Sequence, residues 1–233
     1  MTYLFKAFRA IDDKELAKAF HDGHTKILTE LGIVSLTSNY PSWMEDPNVH
    51  VVIVTNNEGE VVGGIRVHKY DGTNELPIAS AIKDQDPNIL NYIESKRLLN
   101  GVAESCGLWN SKKVFGRGLS PLLARCSVAL TSSFDVSCLI CFSAPYTLRM
   151  IKSLGFLEIS EVGDNGKLPY PTEKFISSAL VVENIYSNEN GTLENLDRIK
   201  SLIDQPVQIC QEISQGQEIE IIYNLLPKHS YTR

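Results

Sequence analysis

An α+β fold is predicted for this chain of 233 residues, and three features of the sequence carry that prediction. Residues 49–55 and 60–70 are β-rich runs joined by Asn56-Asn57-Glu58-Gly59, a hairpin connection. Residues 101–110 read as a strand that passes through a glycine-containing loop into a helix with a helical apolar stripe. Residues 136–142 form an apolar strand, followed by a helix at 145–154 that Gly155 stops and by paired strands at 156–162 and 175–184. An apolar fraction of 43% and a charged fraction of 21% supply an ordinary globular core.

Taken in chain order, residues 3–9 alternate well enough for an opening strand. Asp12 or Asp13 caps a helix running through Leu16, Ala17, Ala19 and Phe20. Gly23 interrupts it, and a second helical stretch covers 25–31 before Gly32. Residues 37–48, with prolines and turn formers, read as loop. After the hairpin, a long connection from 71 to about 100 holds one helix, opened by Asp86-Pro87 and carrying Ile89, Leu90, Tyr92, Ile93 and Leu98. Ser120 as N-cap and Pro121 at the first helical position start the next helix, whose stripe is Leu122, Leu123, Cys126, Ala129 and Leu130. In the tail a polar helix near 193–203 precedes a last strand near 219–225. Neither a repeat nor a low-complexity linker divides the chain. Residues 1–186 are read as one domain and 187–233 as a C-terminal extension packed on it, with a surface for a partner or a homodimer.

No segment approaches the run of about 18 apolar residues that spans a membrane. Residues 1–9 show no long apolar stretch and no cleavage-like site, so no export signal is read there. Cys106, Cys126, Cys138, Cys141 and Cys210, odd in number, then point to reduced thiols and a cytoplasmic location. Cys138 and Cys141 make a C-x-x-C, but within a buried strand their side chains face opposite ways, so no metal is expected. A net charge of −6 disfavours nucleic acid as a partner, and nothing points to a membrane.

The chemistry concentrates in residues 104–123. A strand leads into a loop containing Gly116 and Gly118, then into a capped helix. Glycines let backbone approach a ligand closely, and the first helical turn offers unpaired N–H groups at the positive end of its dipole. Together these make a phosphate cradle, with Lys112, Lys113 and Arg117 adding positive charge. A tight strand–helix connection with solvated lysines has the same pattern. The spacing is neither that of a dinucleotide fingerprint nor that of a P-loop.

Residues 3–184 resemble the GNAT (Gcn5-related N-acetyltransferase) superfamily. The matching stretches are Val62-Gly63-Gly64-Ile65-Arg66-Val67 as third strand, Leu108-Trp109-Asn110 as the end of the fourth, the loop 113–120, and Lys152-Ser153-Leu154-Gly155-Phe156. The resemblance implies a mixed, mostly antiparallel central sheet with splayed fourth and fifth strands flanked by helices. It implies an N-acyltransferase that moves an acetyl or other acyl group from acyl-CoA to a small-molecule amine. Pantetheine would pair with the backbone of Leu108, Trp109 and Asn110, and the pyrophosphate would meet the loop. One register of the loop motif uses Lys113, Gly116 and Gly118; the other uses Phe115, Gly118 and Ser120; Arg117 and Leu119 complete the stretch. Glu104 falls where many members carry a general base, and pairing with a residue such as Arg66 is its structural alternative. The usual acidic tyrosine is Ile151 here; Tyr146 is the substitute in the same helix, or a partly buried packing residue. His21 and His24 belong to helices that line the acceptor side in this family, with an exposed or capping role as the plainer reading. Cys106 shares the strand face of Glu104 and is read as packing.

A narrower resemblance, to acyl-homoserine-lactone and N-acyl amino-acid synthases, rests on residues 61–67, the connection 71–100 and Glu104-Ser-Cys-Gly-Leu. It implies long acyl chains and acyl carrier protein as donor. The arginine those enzymes carry after the strand serine falls at Gly107. A non-catalytic GNAT domain that binds acyl-CoA is the remaining alternative, favoured by Ile151.

Overall fold

A computed structural model of the chain describes residues 1–33, 39–214 and 216–227. Its strands are β1 (Thr2–Arg9), β2 (Val49–Thr55), β3 (Val61–Lys69), β4 (Val102–Asn110), β5 (Cys138–Ser143), β6 (Leu157–Glu158), β7 (Lys167–Pro169), β8 (Ile176–Val182), β9 (Val207–Ser214) and β10 (Gln217–Asn224). They form one sheet in the order β6-β8-β5-β4-β3-β2-β1-β10-β9, with β7 also on β8. Pairing is antiparallel except for β4 with β5 and β1 with β10. The helices are α1 (Lys14–Glu30), α2 (Pro77–Ile82), α3 (Asn88–Asn100), α4 (Leu119–Thr131), α5 (Pro145–Ser153) and α6 (Leu193–Asp204).

Strand alternation sorts side chains into cores on opposite faces. Ala103, Leu139, Cys141 and Leu180 pack with α4 on one face. Val102, Cys138, Ile140 and Val181 pack with α2 and α3 on the other. Cys138 and Cys141 therefore lie in different cores. Phe20 of α1 packs with Trp43 and Trp109 in a third cluster.

Several expectations change. Helix α1 is continuous through Gly23, because glycine there leaves room for the end of the Trp109 ring: an added Cβ would collide with it. Gly23→Ala should therefore lower stability by about 1–3 kcal/mol, the usual cost of overpacking, read as a lower urea midpoint at unchanged slope. Asp13, not Asp12, caps α1 by accepting the Leu16 N–H at 3.1 Å. Gly118 holds the N-cap position of α4, so the helix starts at Leu119 and Ser120 lies inside its first turn. The expected strand at 156–162 shrinks to β6, and β7 supplies further pairing to β8. Of the expected loop at 37–48, residues 37 and 38 lie outside the described residues.

In the tail β9 and β10 form a hairpin that joins the sheet beside β1. Buried Arg125 of α4 ties it down: it donates to Asn195 at 2.7 Å and pairs with Glu194 and Glu212 at 2.9 and 3.2 Å. Among the described residues no helix is long and apolar enough to cross a membrane.

Candidate active site

Two irregularities of the sheet create the site. β4 and β5 pair only from Val102↔Cys138 to Ser105↔Cys141, and beyond that point they part. On the other side of β4 the register with β3 breaks, since Cys106 faces Arg66 while Trp109 faces Gly64. Gly107 and Leu108 thus oppose Ile65 alone, a β-bulge that turns backbone groups out of the ladder. Gly107 meets the bulge with φ +64°, and the Arg66 guanidinium lies 3.1 Å from where its Cβ would be. Any other residue there would be strained and would displace Arg66.

A cavity of ≈ 200 Å³ runs through the gap. Toward α4 and α5 it is lined by Ser105, Ser127, Cys141, Ile151, Leu154 and Phe156. Toward α1 and α2 its walls include His24, Leu28, Ile78, Glu104, Cys106 and Phe142. The cavity therefore opens a route from one face of the sheet to the other.

Glu104 is 1% exposed and lies opposite His68. Its carboxylate accepts the Ile78 N–H, in the first turn of α2, at 2.9 Å. Burial pushes its pKa up to about 8; that hydrogen bond and the Arg66 charge pull it only partly back. The partner of Glu104 is thus a helix N–H, with Arg66 acting on it as a nearby charge. Arg66, also 1% exposed, stacks on Trp43 at 4.2 Å and reaches Cys106 Sγ at 3.8 Å. Burial drives the Cys106 thiol up to about 12, so it stays protonated. His24 is buried and held down to about 3, first by desolvation and then by Arg66. It is neither an exposed residue nor a cap. His21 is half-buried, and its ring faces Trp43 at 6.4 Å.

These shifts set opposite limits on stability. Between its unfolded pKa and about 8, Glu104 binds more protons folded than unfolded, so its contribution falls as pH rises. Between about 3 and its unfolded value near 6.5, His24 binds more protons unfolded, so its contribution falls as pH drops. One unit is about 1.4 kcal/mol. Glu104→Gln should therefore flatten the alkaline limb of the stability profile by a few kcal/mol and leave the acid limb. Urea unfolding at pH 5, 7 and 9 reads both.

The loop after β4 takes a specific shape. Ser111 caps the short turn Lys112–Val114 by accepting the Lys113 N–H at 3.3 Å. Gly116 and Gly118 follow with φ +74° and +66°, and buried Leu119 anchors α4. Two of the three expected cations have carboxylate partners: Lys112 pairs with Glu30 and Lys113 with Glu60, at 2.9 and 2.8 Å. Phe115 is exposed and Arg117 half-buried. Asn110 meets the Ser120 hydroxyl at 2.6 Å and, with its amide oxygen toward α4, also takes the Ser120 N–H at 3.2 Å. Leu108 lines the cavity, whereas the Trp109 side chain packs on α1. The glycines at positive φ and the start of α4 suit the close approach of a phosphate.

Tyr146 lies at the cavity and is 75% exposed, so it is not a packing residue. Ile151 is buried in the cavity wall. Sequence reasoning missed Ser127, whose hydroxyl accepts from Ser105 at 2.9 Å, and missed α2 and the Phe142–Tyr170 wall altogether. Strand alternation places Ser105 toward α4; nothing local marks the others. Among the described residues no group of three or more His, Cys, Asp or Glu is placed to hold a metal.

No family model matches the chain, nor does any curated protein sequence. Solved structures do. FeeM, an N-acyl amino acid synthase from uncultured soil microbes, aligns with a TM-score of 0.61 at 18% identity over 82% of this chain and 95% of its own. A CoA-dependent acyl-homoserine lactone synthase, MesI, aligns with a TM-score of 0.52 at 12% identity over 86% and 95%. The largely antiparallel sheet flanked by helices, the splayed strands and these likenesses together give the chain a GNAT-type fold.

Proposed function

We propose that this chain is an acyl-CoA-dependent N-acyltransferase that moves an acetyl or other acyl group to an amine by direct attack on the thioester. The observation that carries this reading is the cavity through the β4–β5 gap, with Glu104 buried in its wall. The donor's pyrophosphate would be held by Gly116, Arg117, Gly118 and Leu119, and its pantetheine by the backbone of Leu108, Trp109 and Asn110. Lys113, Phe115 and Ser120 border that path. Bound acyl-CoA supplies the activated carbonyl carbon.

Glu104 takes the proton from the acceptor ammonium. A carboxylate with a pKa of about 8 is a far stronger base than an ordinary one and approaches an alkylamine at about 10. Backbone N–H groups released by the bulge at Gly107 and Leu108 stabilise the oxyanion. The new C–N bond forms, the C–S bond breaks, and Tyr146, exposed at the cavity, gives its proton to the leaving thiolate. The second proton lost by the amine nitrogen passes through solvent to restore the Tyr146 phenol.

A second reading, a longer-chain N-acyl synthase fed by acyl carrier protein, is favoured by the apolar wall of Ile151, Leu154 and Phe156 on the α5 side. Native mass spectrometry with acetyl-CoA, octanoyl-CoA and octanoyl carrier protein tests both. Binding of either CoA ester supports the first reading, and a carrier-protein complex alone supports the second. No complex with any donor would remove both.

A further inference from the structure

The sheet ends on β9, and among the described residues no strand pairs with its outer edge. Its eight residues keep unbroken register with β10, from Val207↔Asn224 to Ser214↔Gln217. Just before the strand, the Leu225 N–H donates to the Pro206 carbonyl at 2.9 Å, so the even-numbered residues bond inward to β10. Antiparallel alternation then turns the N–H and C=O groups of Val207, Ile209, Gln211 and Ile213 outward. Val207, Ile209 and Ile213 are 58, 67 and 83% exposed, and Ile209 continues an apolar row through Ile222 to Leu4. Edges left to solvent are ordinarily blunted by lysine, proline or a bulge. β9 has none of these.

The strand is matched to itself. When a second β9 runs antiparallel about a two-fold axis at Cys210, Val207 of one copy faces Ile213 of the other, and Ile209 faces Gln211. Every outward residue then exchanges both its backbone bonds, about eight in all. Shifting the register by one pair in either direction leaves outward groups of a terminal pair without partners. Charge agrees with this register. Glu212, the one charged residue of β9, is buried and held by Arg125 and Arg198 at 3.2 and 3.8 Å. In the paired strands it faces Gln208 of the other copy, so like charges never oppose each other.

We propose that the outer edge of β9 binds a second copy of this chain, joining the two sheets into one across a two-fold axis at Cys210. The interface is isologous, the same strand on both copies. It lies at the end of the sheet away from the β4–β5 gap and stands or falls independently of the acyl-transfer reading.

Sedimentation velocity across a wide range of protein concentration is the test, and a reversible dimer that grows with concentration is expected. Ile209→Lys should keep the circular dichroism of the wild type and raise the dimer dissociation constant about tenfold or more, because a lysine then guards the edge of each copy. If that variant misfolds, Gln211→Lys, on the same exposed row, takes its place. The register has its own readout. At the axis the two Cys210 Cα atoms would lie about 4.5 Å apart, within the range a disulfide spans. Diamide, which takes up the electrons and protons of two thiols, should therefore link Cys210 to Cys210, giving a dimer on a non-reducing gel that Cys210→Ser lacks. A monomer at every concentration, a dimer as tight in the lysine variant, or a dimer without the Cys210 link overturns the proposal.

Discussion

Glu104→Gln should bind acyl-CoA as the wild type does and lose about 10²–10⁴-fold in turnover at pH 7, the usual scale of a missing general base. Glutamine keeps the size of the side chain and still accepts the Ile78 N–H through its amide oxygen, so α2 stays docked. It cannot take a proton. The loop at the start of α4 is untouched, which is why donor affinity should hold. The pH profiles separate this from a structural effect. Wild-type turnover should rise with pH through about 8 as Glu104 ionises. In the variant the rise should move toward the pKa of the acceptor amine itself, giving partial recovery in alkali. Equal turnover in the two proteins would make Glu104 a docking residue for α2 alone.

The other large effect is expected at Gly118. Its φ of +66° lies where side chains are strained, and valine there would combine backbone strain with blocked approach. Asparagine tolerates this conformation far better than branched residues do. Gly118→Asn should therefore keep its melting temperature within a few degrees while weakening CoA binding by tenfold or more, measured by titration calorimetry. Gly118→Val should lose both. Unchanged affinity in a folded Gly118→Asn would detach the loop from donor binding.

Much of the frame was legible from local chemistry. The hairpin at Asn56-Asn57-Glu58-Gly59, the strand leading into Gly116 and Gly118, and the stop at Gly155 are turn signals that tertiary packing does not override. Gly23 was misread because an isolated glycine in a helical pattern looks the same whether it breaks the helix or receives a ring from elsewhere. The cue lies in Trp109, 86 positions away in sequence but in contact in space. Helix α2 and strand β7 are too short for periodicity to show, and β6 keeps two residues because neighbouring β8 divides its pairing between β6 and β7. Within the site, the sequence marks Glu104 as a strand carboxylate, but not its burial, its bond to α2 or its raised pKa. Those depend on three segments meeting. The ion pairs of the loop were hidden for a related reason: Glu30 and Glu60, remote in sequence, meet Lys112 and Lys113.

In the proposed reaction an acyl-CoA lies in the gap between β4 and β5 with its phosphates at the start of α4. Hydrogen–deuterium exchange with and without a saturating acyl-CoA tests it directly. Protection is expected at residues 106–110, 116–122 and the start of α5, with β9 and β10 unchanged. Protection absent from those segments while the donor is bound, or confined to other parts of the sheet, would contradict the account.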